Sequence, residues 1–449
     1  MADYKKKQIK HKVKPKSVKK THSAPQDIKM GRAKPTPKKQ VRKTSETPKK
    51  AKRTVNFNVP KFNIIKGKKI ERIQKNAVKF SVIAVLLCIY LIVCIIHPVG
   101  LVEYLTNCYA RIGSGKGYEV SISGGETLNS IQKSNYYYIL SENNVEAYNN
   151  SGRNIFTIQH GFSKPVLKTG DTRYLVYSQG EKVLKVHTFN GLHHTYNLEN
   201  SILAANISKS GAVAIATKTE GYESKVTVYN KNEKKLYEWF STDETVTSVC
   251  LNDSGKRLAV ATVKVSNGAF ISKIYILKFN SANPVKTFEY NGEIIYSLNN
   301  SSGNKIYALF EKRIEFINTL NGKKKENKTD YSLNIAKKIG NNIITVNTLD
   351  ANKSESNVFI YSLSGKLKAN FKINGTISDV SMKNLRVHLL TDSGVIITDK
   401  TGRILSKAQC SFDVKNIIAL SDKSVVGISN NLVNKYLYEN VEVKQWVLF

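Results

Sequence analysis

The chain has 449 residues, enough for two or three domains, and an extreme net charge of +36. Residues 1–79 hold 27 Lys and Arg against 4 Asp and Glu, a net charge of +23 (27 − 4), so most of the basicity belongs to the N-terminal segment. Five cysteines are too few for a disulfide scaffold. Cys250 and Cys410 are interpreted as buried free thiols, with a bridge between them as the alternative.

Residues 1–60 are predicted to form a disordered, basic, cytoplasmic tail. Its lysine runs are interrupted by prolines, and its apolar residues are too sparse for burial to offset the loss of conformational entropy. Anionic lipid is the favoured partner of this tail. A protein partner and nucleic acid are the alternatives, although no aromatic interleaving or zinc-ligand spacing accompanies the lysines.

Residues 61–79 are predicted to be an amphipathic juxtamembrane segment, followed by a transmembrane helix over residues 80–102. Phe80–Ile96 contains no charged residue, and a helix of 23 residues rises about 34 Å, enough to cross a hydrocarbon core of about 30 Å. The basic flank predicts a cytoplasmic N-terminus and an extracellular C-terminal domain at the plasma membrane. Residues 103–117 are predicted to be a flexible linker.

Residues 118–449 are predicted to form an all-β extracellular domain. Short apolar strands alternate with turns rich in Gly, Asn and Ser, and units of four strands recur about every forty residues. This period is typical of a WD40- or quinoprotein-like β-propeller. Eight units are predicted, opening near Leu128, Pro165, Ile202, Val246, Ile294, Leu333, Ile377 and Val414.

The number and closure of the blades are further predictions. We expect eight four-stranded blades, with seven as the alternative because blade ends are easily misphased. Residues 118–123 are predicted to join the last sheet, around residues 441–449, and so close the ring and remove the exposed edge. A string of two or three immunoglobulin-like sandwiches is the rival architecture, but it would repeat every hundred residues or so.

Several segments resemble a bacterial family of single-pass, membrane-anchored β-propellers of unknown function from Gram-positive anaerobes. They are the basic tail with its helix, Gly113–Tyr118, Val120–Gly124, His160–Val166, Leu175–Tyr177 and Gly221–Tyr229. The resemblance covers about residues 76–449. It implies the architecture and topology described above, and it brings no activity and no catalytic residues.

Three patterns resemble ligand sites without matching them. Residues 113–117 (GSGKG) lack the spacing and the final Ser or Thr of a phosphate-binding loop. Residues 350–355 place Glu355 where a calcium loop has glycine. His187, His193 and His194 have no carboxylate or cysteine at ligand spacing. We interpret residues 113–117 as a linker, residues 350–355 as a polar hairpin tip and the histidines as part of an exposed hairpin.

No catalytic, cofactor-binding or metal-binding residue is therefore predicted. The cluster Tyr136–Tyr138 is interpreted as packing between blades, with glycan or peptide binding as the alternative. The predicted function is that of a non-catalytic binding or scaffold module for an envelope protein or polymer. An enzyme acting on envelope glycans or lipids at the propeller channel is the alternative. A basic or aromatic face would favour binding, and convergent carboxylates or histidines would favour the enzyme.

Overall fold

The structure, a computed structural model, describes residues 67–96, 100–281, 283–348 and 355–440. The predicted tail, residues 1–60, and the C-terminal residues 441–449 lie outside these ranges. Two helices precede the strands: α1 (Gly67–Ile96) and α2 (Leu101–Arg111). Within the described residues, no helix combines the length and the apolarity that a membrane crossing requires.

The helices differ in their bounds from the predicted segments. Helix α1 includes Phe80 but begins earlier, at Gly67, and it ends at Ile96 instead of near residue 102. The sequence has Pro98 and Gly100 between the two helices, and Gly100 adopts a φ of 124°, which favours glycine. Helix α2 then occupies most of residues 103–117, which the sequence analysis assigned to a linker.

The strands form eight antiparallel sheets. A short strand, β1 (Val120–Ser121), comes first. The first four blades contain β2 (Thr127–Gln132), β3 (Tyr136–Ser141), β4 (Asn144–Asn149), β5 (Asn154–Gln159), β6 (Pro165–Thr169), β7 (Tyr174–Ser178), β8 (Val183–Thr188), β9 (Gly191–Asn197), β10 (Ile202–Ile207), β11 (Val213–Thr219), β12 (Tyr222–Tyr229), β13 (Lys235–Ser241), β14 (Thr245–Leu251), β15 (Arg257–Ser266), β16 (Ala269–Lys278) and β17 (Lys286–Asn291). The remaining blades contain β18 (Ser297–Ser302), β19 (Lys305–Leu309), β20 (Arg313–Asn318), β21 (Lys324–Lys328), β22 (Leu333–Ile339), β23 (Asn342–Thr348), β24 (Glu355–Ser362), β25 (Leu367–Asn374), β26 (Ile377–Lys383), β27 (Arg386–Thr391), β28 (Gly394–Thr398), β29 (Ile404–Ala408), β30 (Asn416–Ser421), β31 (Ser424–Ile428), β32 (Leu432–Leu437) and β33 (Glu439–Asn440).

These sheets are the blades of an eight-bladed β-propeller. Blades 1 to 6 each contain four strands that pair in chain order, and blade 7 has β33 as a fifth strand beside its four. The first strands of successive blades lie beside one another around a central channel. All eight predicted openings fall within a few residues of a first strand, namely β2, β6, β10, β14, β18, β22, β26 and β30. The prediction of eight blades is therefore confirmed, and the alternatives of seven blades and of separate sandwiches are wrong.

Ring closure differs in detail from the prediction. Strand β1 is the outermost strand of blade 8, where Val120 pairs with Val433 and Ser121 with Leu432. The N-terminal strand thus joins the last sheet as expected, and its partner there is β32; residues 441–449 lie outside the described ones. After β32 the chain crosses to blade 7, where β33 pairs with β29. One sheet built from both ends of the domain closes the ring and protects its edges.

The core consists of apolar layers between the blades. Each of eight clusters in the described chain joins two successive blades, and the cluster that includes Ile139, Tyr148 and Ile418 joins blade 8 to blade 1. Because strands alternate their side chains between two faces, every central strand can contribute to two such layers. This explains why Tyr136 and Tyr138 pack towards blade 2, whereas Tyr137 packs towards blade 8.

Candidate anion-binding site

One end of the central channel is formed by the turns that connect the first strand of each blade to the second. We call this end the first-turn face. Hydrogen bonds link different blades there, among them Lys133 Nζ to Gly170 O (3.2 Å), Ser210 N to Asp253 O (3.1 Å), Asp253 N to Gly303 O (2.9 Å), Lys338 Nζ to Asn300 O (3.2 Å) and Lys383 Nζ to Ser134 O (3.3 Å). These bonds connect blade 1 with blades 2 and 7, and they connect blades 3 to 6 with one another.

Four lysines gather at the first-turn face: Lys133, Lys168, Lys209 and Lys338, which we call the lysine mouth. Each lies within two residues of the end of a first strand, in blades 1, 2, 3 and 6, respectively. Lys133, Lys168 and Lys338 are half-buried, and Lys209 is exposed. Among the described residues, only Lys209 of the four forms an ion pair, with Asp253 Oδ2 at 2.9 Å.

Burial and repulsion between lysines lower the pKa values of Lys133 and Lys338. Desolvation lowers the pKa of Lys133 to about 8, helped by repulsion from Lys338, Lys209 and Arg111, whereas Asp171 acts in the opposite direction. The pKa of Lys338 is also lowered, by desolvation and by Lys209. These residues belong to blades that are not adjacent, so the charges interact across the channel.

Lys168 lies near the end of β6, the first strand of blade 2. Desolvation lowers the pKa of the Lys168 ammonium group. An electrostatic interaction with Cys250 of blade 4, two blades further round the ring, acts in the opposite direction. No hydrogen bond or ion pair is found for the Lys168 ammonium group within the described part of the chain. A half-buried cation without an acidic partner costs folding free energy, and such residues are typical of binding sites.

Helix α2 lies on the first-turn face, beside the lysine mouth. Its polar side contacts the propeller: Glu103 accepts hydrogen bonds from the Thr172 hydroxyl (2.6 Å) and from Arg173 Nη2 (2.9 Å), and Asn107 Nδ2 donates to Thr172 O at 3.3 Å. Further along α2, the Arg111 guanidinium lies 4.6 Å from the centre of the Tyr136 ring. The helix is therefore fixed by polar contacts with blades 1 and 2.

Comparison with known families identifies the domain. A family of unknown function, DUF5711, matches residues 109–436, most of the chain. The chain belongs to this family. No curated protein matches it. The solved structures similar to the DUF5711 domain include the β-propeller domain of Cps50 (Swd1) from Myceliophteria thermophila, with 10% identity, 71% of this chain and 98% of that chain covered and a TM-score of 0.41. They also include the C-terminal WD40 domain of Sif2, with 11% identity, 72% and 99% coverage and a TM-score of 0.49.

The three histidines singled out in the sequence do not converge in the DUF5711 domain. His187 is buried and stacks on Tyr174, with 5.3 Å between ring centres. His193 Nε2 bonds to Glu233 Oε1 at 2.8 Å, whereas His194 packs edge-on against Tyr196. In the described ranges, no group of three or more His, Cys, Asp or Glu side chains could hold a metal ion.

The glycine-rich segment at residues 113–117 packs against the turn between β4 and β5, so it differs from a free linker. Gly115 N donates to Ser151 Oγ at 2.8 Å, and Asn149 Nδ2 donates to Gly113 O at 2.8 Å. A Cβ atom on Gly115 would lie 2.3 Å from Ser151 O, so glycine is required for this close approach. Residues 350–354 of the other candidate loop lie outside the described residues, between β23 and β24.

The interpretations of the tyrosine cluster and of Cys250 fit the structure, whereas that of Cys410 as buried does not. Tyr136, Tyr137 and Tyr138 are all buried between blades. Cys250 is a buried free thiol whose pKa burial raises to about 12. Cys410 is also free, but it is only half-buried. A bridge between these two cysteines is not formed.

Four buried carboxylates belong to separate structural networks. Glu315, for example, accepts from the Tyr290 hydroxyl at 2.5 Å, and Asp379 pairs with Lys337 at 2.5 Å and accepts from Ile417 N at 2.9 Å. Glu146 and Glu244 likewise have their own hydroxyl donors. Within the described residues no partner is shared by two of the four, which is the pattern of carboxylates that fasten strands together.

The lysine mouth was not found from the sequence. Its members are spread over more than 200 residues, and each looks like an ordinary lysine near a strand end. The available signal was the position common to Lys133, Lys209 and Lys338, just at the end of a first strand. That signal acquires meaning only when the first strands are placed around one axis.

Replacing Lys133 with methionine is expected to stabilise the domain by about 1–2 kcal/mol at pH 7. A pKa near 8 against the ordinary 10.5 corresponds to about 3 kcal/mol of unfavourable charging, and the lost hydrogen bond to Gly170 offsets about 1 kcal/mol of it. The unfolded chain binds more protons between pH 8 and 10.5, so the gain should shrink as the pH rises through this window.

Thermal unfolding of Lys133→Met at pH 7 and at pH 10 measures this gain. Lys278→Met is the matched control, because Lys278 is exposed on the third strand of blade 4. An unchanged or lower melting temperature for Lys133→Met at pH 7 would contradict the unfavourable charging.

Proposed function

We propose that the protein is a membrane-anchored binding module, with α1 in the plasma membrane, the basic N-terminal segment in the cytoplasm and the propeller outside the cell. The observation that carries the anchor is the surface of α1. Eleven large apolar side chains between Val78 and Ile92 are exposed, with Phe80 exposed to 72%. They lie on every side of the helix, which is typical of a helix surrounded by lipid. The predicted crossing, residues 80–102, also includes residues outside the described ones.

Helix α2 supports this arrangement, because its polar side contacts the propeller and its apolar side is exposed. The side that contacts the propeller is polar, whereas Val102, Leu105, Tyr109 and Ile112 are 79%, 53%, 78% and 66% exposed. The spacing of three and four residues places Val102, Leu105 and Tyr109 on one face of the helix, and Ile112 directly follows its end. An exposed apolar face that follows a membrane helix suits the headgroup layer of a bilayer.

The proposed role of the propeller is to bind an envelope protein or polymer without catalysis. The lysine mouth supports binding, because a basic channel end is the arrangement that a binding module would present to an anionic partner. Lysine ammonium groups supply positive charge and hydrogen-bond donors to such a partner.

Cysteine accessibility in intact cells tests the anchor and its orientation. A membrane-impermeant maleimide is expected to label Asn232→Cys, in the exposed turn after β12, without permeabilisation. Ser23→Cys, in the basic segment, should be labelled only in permeabilised cells, and the parent chain gives the background from the native cysteines. The protein should stay in the pellet after alkaline carbonate extraction. Labelling in the reverse order would contradict the orientation, and extraction into the supernatant would contradict the anchor.

A further inference from the structure

We propose that the lysine mouth binds a phosphate-bearing anion on the face of the propeller that carries α2. The proposal rests on the proposed function only in that the propeller binds a ligand, and it names the chemical class of that ligand. The site consists of Lys133, Lys168, Lys209 and Lys338.

The geometry gathers positive charge at one end of the channel, because all four lysines lie within two residues of the end of a first strand. Lys133 donates one hydrogen bond to Gly170 O at 3.2 Å, and Lys338 donates to Asn300 O at 3.2 Å and to Asn300 Oδ1 at 3.5 Å. A neutral oxygen accepts a hydrogen bond without neutralising the ammonium charge, and an ammonium group has three donors. Both lysines therefore keep donors and charge for a ligand. An anion between them would relieve the repulsion that now acts across the channel.

Two acidic residues, Asp253 and Asp171, act on the cluster. Asp253 Oδ2 accepts from Lys209 Nζ at 2.9 Å and from Gly303 N at 2.6 Å. This pair orients Lys209 at the edge of the cluster, whereas Asp171 acts on Lys133 and Asp253 acts also on Lys338. Four lysines against these two carboxylates leave an excess of two positive charges (4 − 2), which matches a ligand that carries two or more negative charges.

Phosphate fits these donors better than other anions. Lysines present point charges that can approach a tetrahedral phosphate from several sides, whereas a planar carboxylate is matched by the fork of an arginine. The lysines surround a channel end instead of forming a stripe, so they fit a compact group and not the continuous backbone of a nucleic acid. The ligand is thus a phosphate group at the end or head of a larger molecule, or a small free phosphate compound.

The position of α2 makes a lipid headgroup one source of that phosphate. Thr172 and Arg173, which contact α2, lie in the same turn as Gly170, the acceptor of Lys133. The apolar side of α2 and the lysine mouth therefore share one face of the propeller. The chemistry is the same for a soluble phosphate compound, so two experimental arms are needed.

The first arm uses the full-length chain in neutral detergent with inorganic tripolyphosphate, measured by titration calorimetry. We expect binding that becomes about tenfold weaker in Lys133→Met and in Lys338→Met, since each removes a charge-assisted contact. Lys278→Met, on the same face but on a third strand, should bind as the parent does. Melting temperatures establish that the variants are folded.

The second arm places the full-length chain in nanodiscs of phosphatidylglycerol or of phosphatidylcholine and follows acetylation of each lysine by mass spectrometry. Protection of Lys133 and Lys338 by phosphatidylglycerol, with Lys278 unprotected, would assign the phosphate to lipid headgroups. Tripolyphosphate binding without lipid protection would assign it to a soluble or polymeric phosphate.

The proposal is overturned if tripolyphosphate does not bind and phosphatidylglycerol does not protect Lys133 and Lys338 from acetylation. It is also overturned if Lys133→Met and Lys338→Met bind tripolyphosphate as tightly as Lys278→Met. Either result leaves the cysteine-labelling test of the membrane anchor untouched, so the two failures can be told apart.

Discussion

Lowering the pH from 7 to 4 is expected to destabilise the propeller by several kcal/mol, because two buried histidines must stay neutral for it to fold. His388 is fully buried, and desolvation lowers its pKa to about 3. Desolvation, with repulsion from Lys185 and His160, lowers the pKa of His187 to about 4. In the unfolded chain both groups titrate near 6.5.

The direction of the effect follows from proton uptake. Between pH 6.5 and about 4 the unfolded chain binds protons that the folded chain does not, so the free energy of unfolding falls as the pH falls. Each histidine contributes about 3 kcal/mol of lost stability at pH 4. The groups that surround them do not compensate: His388 Nδ1 bonds to the Tyr438 hydroxyl at 2.7 Å, and His187 stacks on Tyr174.

Urea unfolding of the full-length chain at pH 7, 5.5 and 4 measures this loss. His388→Asn should give a smaller change in stability across the range, since it removes one titrating group. His193→Asn is the control, because His193 lies at the surface and bonds to Glu233. If His388→Asn and His187→Asn both kept the full pH dependence, buried histidines would not be its cause.

Replacing Glu103 with alanine is expected to destabilise the protein by about 3 kcal/mol and to release α2 from the propeller. The change leaves the Arg173 guanidinium, whose side chain is 7% exposed, without its closest carboxylate. It also removes the acceptor of the Thr172 hydroxyl. Breaking a buried ion pair from one side costs about 3–5 kcal/mol. Arg173 keeps its bond to Lys231 O and the Glu233 carboxylate 3.6 Å from Nη1, which places this case at the lower end.

Hydrogen exchange and urea unfolding detect the two consequences. Amide exchange should increase over Leu101–Arg111 and remain unchanged in blades 4 to 6. Glu119→Ala, which changes an exposed carboxylate in the next segment, should alter neither. In the double variant Glu103→Met/Arg173→Met, part of the lost stability should return, because no unpaired charge stays buried. Unchanged exchange in α2 after Glu103→Ala would show that other contacts hold the helix.

The propeller architecture could be predicted from the sequence because its signals are local. Turn glycines such as Gly255 and Gly402 adopt positive φ angles of 65° and 86°, and the apolar strands between the turns alternate with a period of two. These features depend on neighbouring residues, so they are visible in the chain itself. The burial of Cys250 and of Tyr136–Tyr138 followed from the same local pattern.

Helix α2 was assigned to a linker because its contacts reverse the usual pattern. An amphipathic helix is normally expected to place its apolar side against the core, whereas here Glu103, Asn107 and Arg111 make the contacts. Those contacts require Thr172 and Arg173, about 70 residues away in the chain. No feature within α2 itself indicates where such partners lie.

The sequence by itself determined the number of blades, the positions of their first strands and the N-terminal strand that joins the last sheet, because strand periodicity and turn chemistry are properties of short segments. Only the tertiary structure decided that β1 pairs with β32, that α2 lies on the first-turn face and that four separate lysines form one site. Each of these depends on distances between blades that are far apart in the chain. Closing the ring brings those blades to a common axis, and with them the charges of Lys133, Lys168, Lys209 and Lys338.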